Sequence, residues 1–230
     1  MNIKILSDST CDLPQEVLEK YNITMVPLAV IKDGASFIDG INITPAEIFA
    51  HVAAGGDLCS TAALNIGEYE DLFAKYIKDY DGIIHINISS EFSSCHQNAR
   101  LAAEDYDNIR VIDSRNLSTG QGLVVLEACK LAQTCDNLDE IEEKLNAFTE
   151  KVEASFLLDR LDYMVKGGRC SAAAALGANL LNLKPCIEVK NGKMGVVKKY
   201  RGNYAKCLAN YVKDRLSGRD DLDKSTLFVT

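Results

Sequence analysis

The chain has 230 residues, 47% of them hydrophobic and 25% charged, with a formal net charge of −8. That length fits one large domain or two small ones, with enough apolar side chain for a sizeable core. The negative charge argues against nucleic acid and anionic membrane surfaces as partners, and no apolar run approaches the ~20 residues that span a bilayer.

In chain order, IKIL (3–6), TMVPLAVI (24–31), GIIHINI (82–88) and IRVID (109–113) read as strands. The segments near 14–21, 44–53, 67–80, 97–105 and 120–133 read as helices. GEYEDLFAKYIKDY is the clearest, because Tyr69, Leu72, Phe73, Tyr76, Ile77 and Tyr80 recur at helical spacing. This alternation predicts an α/β domain with a largely parallel sheet, whose sites form where strands end and helices begin. The second half differs. A helix is expected near 138–153, then a small-residue apolar helix at 172–183 stopped by Pro185, then a hairpin turning at Asn191-Gly192. A domain boundary is placed near residue 150, giving segments 1–150 and 151–230. The closing STLFVT reads as the start of a strand, which suggests a longer domain.

No signal-peptide pattern opens the chain, since MNIKILSDST already reads as a strand and a polar turn. The 8 cysteines form no C-x-x-C pair and stand at no metal-ligand spacing from a histidine. They are expected to be reduced core fillers in a cytoplasmic protein.

Four turns are rich in hydroxyls: SDSTCDLP (7–14), LCSTAALNIGEY (58–69), ISSEFSSCHQNA (88–99) and DSRNLSTGQG (113–122). Three of them follow strands directly. In a parallel sheet these three would share the carboxyl edge and line one cleft with hydroxyls and helix starts. Such an edge suits an anion. It suits a nucleophile less well, because a catalytic serine needs a base within hydrogen-bond reach. The histidines are His51, His85 and His96, and only His96 stands beside a serine cluster. A hydrolase using Ser93 with His96 is therefore one alternative, and a phosphotransfer subunit using the 113–122 turn is another. Ser93 or Ser94 also serves as an ordinary N-cap for the helix that follows. Gly120 and Gly122 lack the third glycine and the lysine of a nucleotide loop. Asp8, Asp12, Asp39 and Asp113 would hold a metal only if the fold gathered them. Lys166-Gly167-Gly168-Arg169 is a basic turn in which Arg169 pairs locally or contacts a partner.

Taken in order, SDSTCDLP, VPL (26–28), STAALNIGEY, ISSEFSSCHQNA, IDSRNLSTGQG and DYMVKGGRCSAAAALGANLLNLKP resemble the DegV family of fatty-acid-binding proteins. These are the acyl carriers of bacterial fatty acid kinase systems. The resemblance covers nearly the whole chain. It implies a two-domain α/β fold: a parallel-sheet α/β/α first domain and a smaller, mixed-sheet α/β second domain that is incomplete at its C-terminus. It implies a non-enzymatic carrier, without cofactor or metal, that binds a long-chain fatty acid such as palmitate between its domains and presents the carboxylate to a kinase subunit. A monomer is the default.

The family's fatty-acid carboxylate is held by two hydroxyls, which correspond to Thr61 and Ser93, with help from the backbone at Ser94 and Cys95. Asp8, Ser9, Ser114 and Arg169 are further candidates for cleft or partner contacts. Where the family usually has Ser, Gly and Thr, this chain has Ala62, Ser94 and Cys95. The physical case agrees with a lipid ligand. Burying an acyl chain gains about 0.8 kcal/mol per CH₂, so the tail dominates affinity and the head needs only orientation. Leu176, Leu180, Leu181 and Leu183 would then supply tunnel wall.

Overall fold

Short apolar runs and amphipathic segments alternate from the first residue, and each becomes an element. In the computed structural model, which describes residues 1–174 and 183–229, β1 (Ile3–Asp8) leads through a 3-10 turn (Ser9–Cys11) to α1 (Gln15–Lys20) and β2 (Thr24–Val26). Then come β3 (Ala29–Lys32), β4 (Ala35–Ile38), α2 (Pro45–Ala53), β5 (Ser60–Ala62), α3 (Ile66–Tyr76) and β6 (Gly82–Asn87). The elements α4 (Cys95–Ala102), β7 (Ile109–Asp113), α5 (Ser118–Thr134) and α6 (Leu138–Thr149) follow. The chain divides into two compact units, Met1–Val152 and Glu153–Thr230.

In the first unit, β2, β1, β6 and β7 lie side by side in that order, and every pairing is parallel. This is the expected sheet. The run 24–31, expected as one strand, breaks at Pro27. Proline has no N–H to give to a ladder, and the pairing is interrupted there. β2 stays in the parallel sheet, while β3 starts a second, antiparallel one in the order β4-β3-β5. Asp33 and Gly34, at φ 50 and 77, make the two-residue turn between β3 and β4. The stretch STA, expected as a polar turn, is instead the strand β5, with Thr61 opposite Val30. Three residues are too few to show alternation, so only the neighbouring edge of β3 makes them a strand.

One core cluster joins Leu6, Val26, Ile83 and Ile109 of the strands to Tyr69 and Phe73 of α3 and to Cys95, Ala99 and Ala102 of α4. The helix α5 lies against the turn after β1. A Cβ on Gly122 would stand 2.8 Å from the Cys11 carbonyl oxygen, so this close approach needs glycine. The Asn137 side chain caps α6 by accepting from the N–H groups of Asp139 and Glu140 at 2.9 and 3.1 Å.

The second unit contains β8 (Ala154–Leu157), α7 (Asp162–Gly167), α8 (Ser171–Ala174), β9 (Leu183–Lys190), β10 (Lys193–Arg201) and α9 (Tyr204–Leu216). Its sheet runs β10-β9-β8 and is antiparallel at both pairings, where a mixed sheet was expected. The expected hairpin turns at Asn191 and Gly192, both at positive φ of 52 and 79. Pro185 sits within β9 rather than at a helix end, and Leu183 opens that strand. Leu176, Leu180 and Leu181, the expected tunnel wall, lie outside the described residues. The tail at 227–229 forms no strand.

All eight cysteines are free; seven are buried and Cys59 is half-buried. Burial pushes the Cys129 thiol up to about 12 and raises Cys11 as well. In the folded protein at pH 8, Ellman's reagent is expected to modify Cys59 first and the other seven only after denaturant is added. Rapid reaction of several thiols in the native state would contradict this burial pattern. Among the described residues, no helix is long and apolar enough to cross a membrane.

Candidate functional site

Because β1, β6 and β7 are parallel neighbours, the turns that follow them emerge together at one edge of the sheet. After β1, the Ser9 hydroxyl donates to Asp39 Oδ2 at 2.6 Å and accepts from the Leu28 N–H at 3.3 Å. Ser9 thereby ties the end of β1 to both ends of the β3–β4 hairpin. After β7, Asp113 accepts from the Ser90 hydroxyl at 2.6 Å and from the Arg115 N–H at 2.8 Å. Ser114 is fully buried; its hydroxyl donates to the Asn116 carbonyl at 3.1 Å and accepts from the Asn116 N–H at 3.2 Å. Ser118 donates to Asp12. The four aspartates considered for a metal are thus each engaged with different partners. Among the described residues, no three His, Cys, Asp or Glu side chains gather as metal ligands.

After β6 the chain reaches Ser93-Ser94-Cys95, where α4 begins. Ser94 occupies the N-cap position at φ −78 and ψ 1, which any L-residue adopts, so the site does not demand the family's glycine here. Its side chain makes no capping hydrogen bond and is exposed. The capping bond comes from Ser93 instead. Its oxygen accepts from the Cys95 N–H at 3.3 Å, and its hydroxyl donates to the Cys95 sulfur at 3.0 Å. Ser93 is half-buried and Cys95 is fully buried. Thr61 is exposed on β5. Just beyond it, the Leu64 carbonyl accepts from the Asn98 amide of α4 at 2.7 Å. Ala63 and Leu64 pack on the cluster that holds Cys95 and Ala99. The segment carrying Thr61 is therefore fastened to the helix that Ser93 opens.

Among the described residues, no hydrogen bond joins Ser93 to His96, because the Ser93 hydroxyl is directed at Cys95. Burial lowers the His96 pKa, opposed by nearby Asp113, and its buried Nδ1 has no hydrogen-bond partner among the described residues. Arg169 belongs to the second unit. It follows Gly168 at φ 72 and donates to the Gly167 carbonyl at 2.8 Å, which is the local pairing weighed for this turn.

Asp8, a candidate for cleft contact, is fully buried instead. Its Oδ2 accepts from the Ile88 N–H at 2.9 Å, and its Oδ1 accepts from the Asn87 amide at 3.1 Å and the Tyr69 hydroxyl at 3.3 Å. His85 Nε2 lies 3.5 Å from Asp8 Oδ1 and 2.9 Å from the Asn87 amide nitrogen. Burial, and then Asp8, raise the pKa values of both Tyr69 and Cys95. Sequence reasoning missed this cluster, having placed Tyr69 only in an apolar stripe. One signal was available: His85 and Asn87 interrupt the run IIHINI on alternate positions, which face the same side of a strand.

A parallel sheet with hydroxyl-bearing turns at its carboxyl edge defines an α/β protein of the open-sheet class, in which that edge is the usual place for a ligand. The chain belongs to the DegV family: the family model, described as an uncharacterised protein family, matches residues 2–225. A DegV domain-containing protein of Clostridium acetobutylicum is 34% identical over 223 residues, covering 95% of this chain and 80% of that one. The fold is similar to that of a fatty-acid-binding DegV family protein from Thermus thermophilus, at TM-score 0.83 and 28% identity, covering 95% of this chain and 79% of that one. It is also similar to a stearic-acid-binding protein from Eubacterium ventriosum, at TM-score 0.82 and 29% identity, covering 95% and 78%.

Proposed function

We propose that this protein binds a long-chain fatty acid, holds its carboxylate at Thr61 and Ser93, and carries it without transforming it. The observation that carries this reading is the match, over 95% of the chain, to a solved DegV protein described by its fatty acid binding. The local chemistry supports it. Ser93 offers a half-buried hydroxyl at a helix start, where free N–H groups and the helix dipole favour an anion. Its hydroxyl is engaged by the Cys95 sulfur, and among the described residues it makes no hydrogen bond to His96, the one histidine near enough in sequence to activate it. Handing the acyl carboxylate to a kinase subunit, acting as a monomer and residing in the cytoplasm are parts of the same proposal. Neutral hydroxyls orient the head while the buried tail supplies most of the affinity.

The test is direct. Denaturing the purified protein is expected to release a fatty acid detectable by mass spectrometry, and the delipidated protein is expected to bind added palmitate. A protein that purifies empty and ignores palmitate would sink the carrier reading. Ester-cleaving activity lost on Ser93→Ala would favour the hydrolase instead.

A further inference from the structure

Thr61 and Ser93 stand on separate elements, and a side chain of α4 reaches across to the segment that carries Thr61. Thr61 lies on β5, the outer strand of the sheet β4-β3-β5, so β5 pairs on one side only, with β3. All three β5 residues are exposed. A short exposed strand paired on one side opens easily unless something else holds it. The next fixed point along the chain is the peptide that joins Leu64 to Asn65. Its carbonyl accepts from the Asn98 side-chain amide at 2.7 Å, and its N–H donates to Glu68 Oε2 at 2.7 Å. The Asn65 side chain accepts in return from the Glu68 N–H at 3.0 Å, and α3 starts there. One peptide plane is thus gripped from both sides.

Asn98 is registered to the helix start where Ser93 stands, because its own N–H donates to the Ser94 carbonyl at 2.9 Å. A backbone carbonyl only accepts, so the partner fixes which end of the Asn98 amide faces Leu64. The helix itself gains little from this residue. Asparagine is a weak helix former, since its amide competes for backbone groups. Here the amide crosses to another segment instead. Asn98 and Leu64 are both half-buried, so the bond is partly shielded from water. Ala63 and Leu64 also pack on the cluster that holds Cys95 and Ala99. Apolar packing is non-directional and keeps the segment close. The hydrogen bond is directional and sets its register against α4.

We propose that Asn98 is a positioning residue for the head-group site: through the Leu64 carbonyl it sets where Thr61 stands relative to Ser93, so that both hydroxyls meet one carboxylate. The inference rests on the carboxylate reading above. Two donors strengthen the hold on one anion fully only if their spacing is set before the ligand arrives. Otherwise the ligand has to order the loose segment, and that cost is subtracted from its affinity. Without the Asn98 amide, Thr61 keeps its hydroxyl but loses its register. Ser93 keeps its place, since its bond to the Cys95 N–H lies within the start of α4. The effect therefore falls on the Thr61 half of the grip, and on ligands whose head engages it.

The test uses palmitate and the neutral analogue hexadecanol as paired probes on the delipidated protein. Asn98→Ala removes the amide and suits a helix. Asn98→Ser keeps a polar group too short to reach Leu64, and takes its place if the alanine variant folds poorly. Either is expected to lower the palmitate-to-hexadecanol affinity ratio by roughly five-fold, the size of one hydrogen bond. Thr61→Val is expected to lower the ratio as well. Asn98→Ala combined with Thr61→Val is expected to lower it no further than Thr61→Val alone, because both changes remove the same contact. A general structural role would lower both affinities together and leave the ratio unmoved, or would add to the Thr61→Val loss. Either result in a folded variant overturns the positioning role. The carboxylate reading fails separately: Thr61→Val and Ser93→Ala would then each leave the ratio at the wild-type value.

Discussion

Replacing Ser93 with alanine is expected to weaken palmitate binding by about ten-fold while the melting temperature stays close to that of the wild type. A hydroxyl donating to a carboxylate contributes about 1.5–3 kcal/mol, and each 1.4 kcal/mol is a factor of about ten. The lower end of that range applies here because the Ser93 proton must first leave the Cys95 sulfur. The fold is expected to tolerate the change. Ser93 is half-buried, and the hydrogen bond it accepts from the Cys95 N–H is long, 3.3 Å, at a helix start where water can take its place. Hexadecanol should lose much less, since its tail is unaffected and its head carries no charge. Isothermal titration of both ligands, with circular dichroism for the fold, decides the matter. Equal losses for the two probes would mean that Ser93 shapes the tail region rather than the head.

Phe73→Ala is expected to be the most damaging substitution in the first unit. Phe73 is fully buried, with its ring centroid 6.0 Å from that of Tyr69 and 5.8 Å from the His85 ring, the latter edge-on. Removing a buried phenyl group costs about 3–5 kcal/mol through lost transfer energy and the cavity left behind. Whole domains have only about 5–15 kcal/mol of stability, so a large share of it would go. Ile41→Ala is the control: Ile41 is 71% exposed, and its truncation should stay within about half a kcal/mol. Urea unfolding followed by circular dichroism compares the two. A Phe73→Ala protein as stable as Ile41→Ala would contradict the core described here.

Tyr69 and Phe73 are one turn apart, and their spacing already marked that face as buried. Which of the two carried a second role was not visible. Tyr69 fits an apolar stripe as well as Phe73 does, and only the arrival of β1 beside β6 places the Asp8 carboxylate within reach of its hydroxyl.

Much else was legible because it is local. Asn191-Gly192 accepts two positive φ values, and that alone makes a tight hairpin. Hydroxyl turns after apolar runs mark strand ends, and parallel pairing follows from the intervening helices. What escaped was set by neighbours distant in the chain. Pro27 looks harmless inside TMVPLAVI until the missing N–H must serve one sheet or the other. Ser60–Ala62 is a strand only because β3 offers it an open edge. Asp8 and Ser114 were candidates for cleft or partner contacts at strand ends; both are buried and bonded internally.

By itself the amino-acid sequence determined the alternation of strands and helices that builds the parallel sheet, the family, and the hydroxyls at the strand ends. Those depend on short-range periodicity and turn chemistry, which are written in adjacent residues. Tertiary structure alone decided where Asp8 points, which partner takes the Ser93 proton, and why Cys95 is tolerated at the helix start. Those depend on buried charges and donors meeting across strands, where the low local dielectric strengthens each hydrogen bond and makes its direction matter.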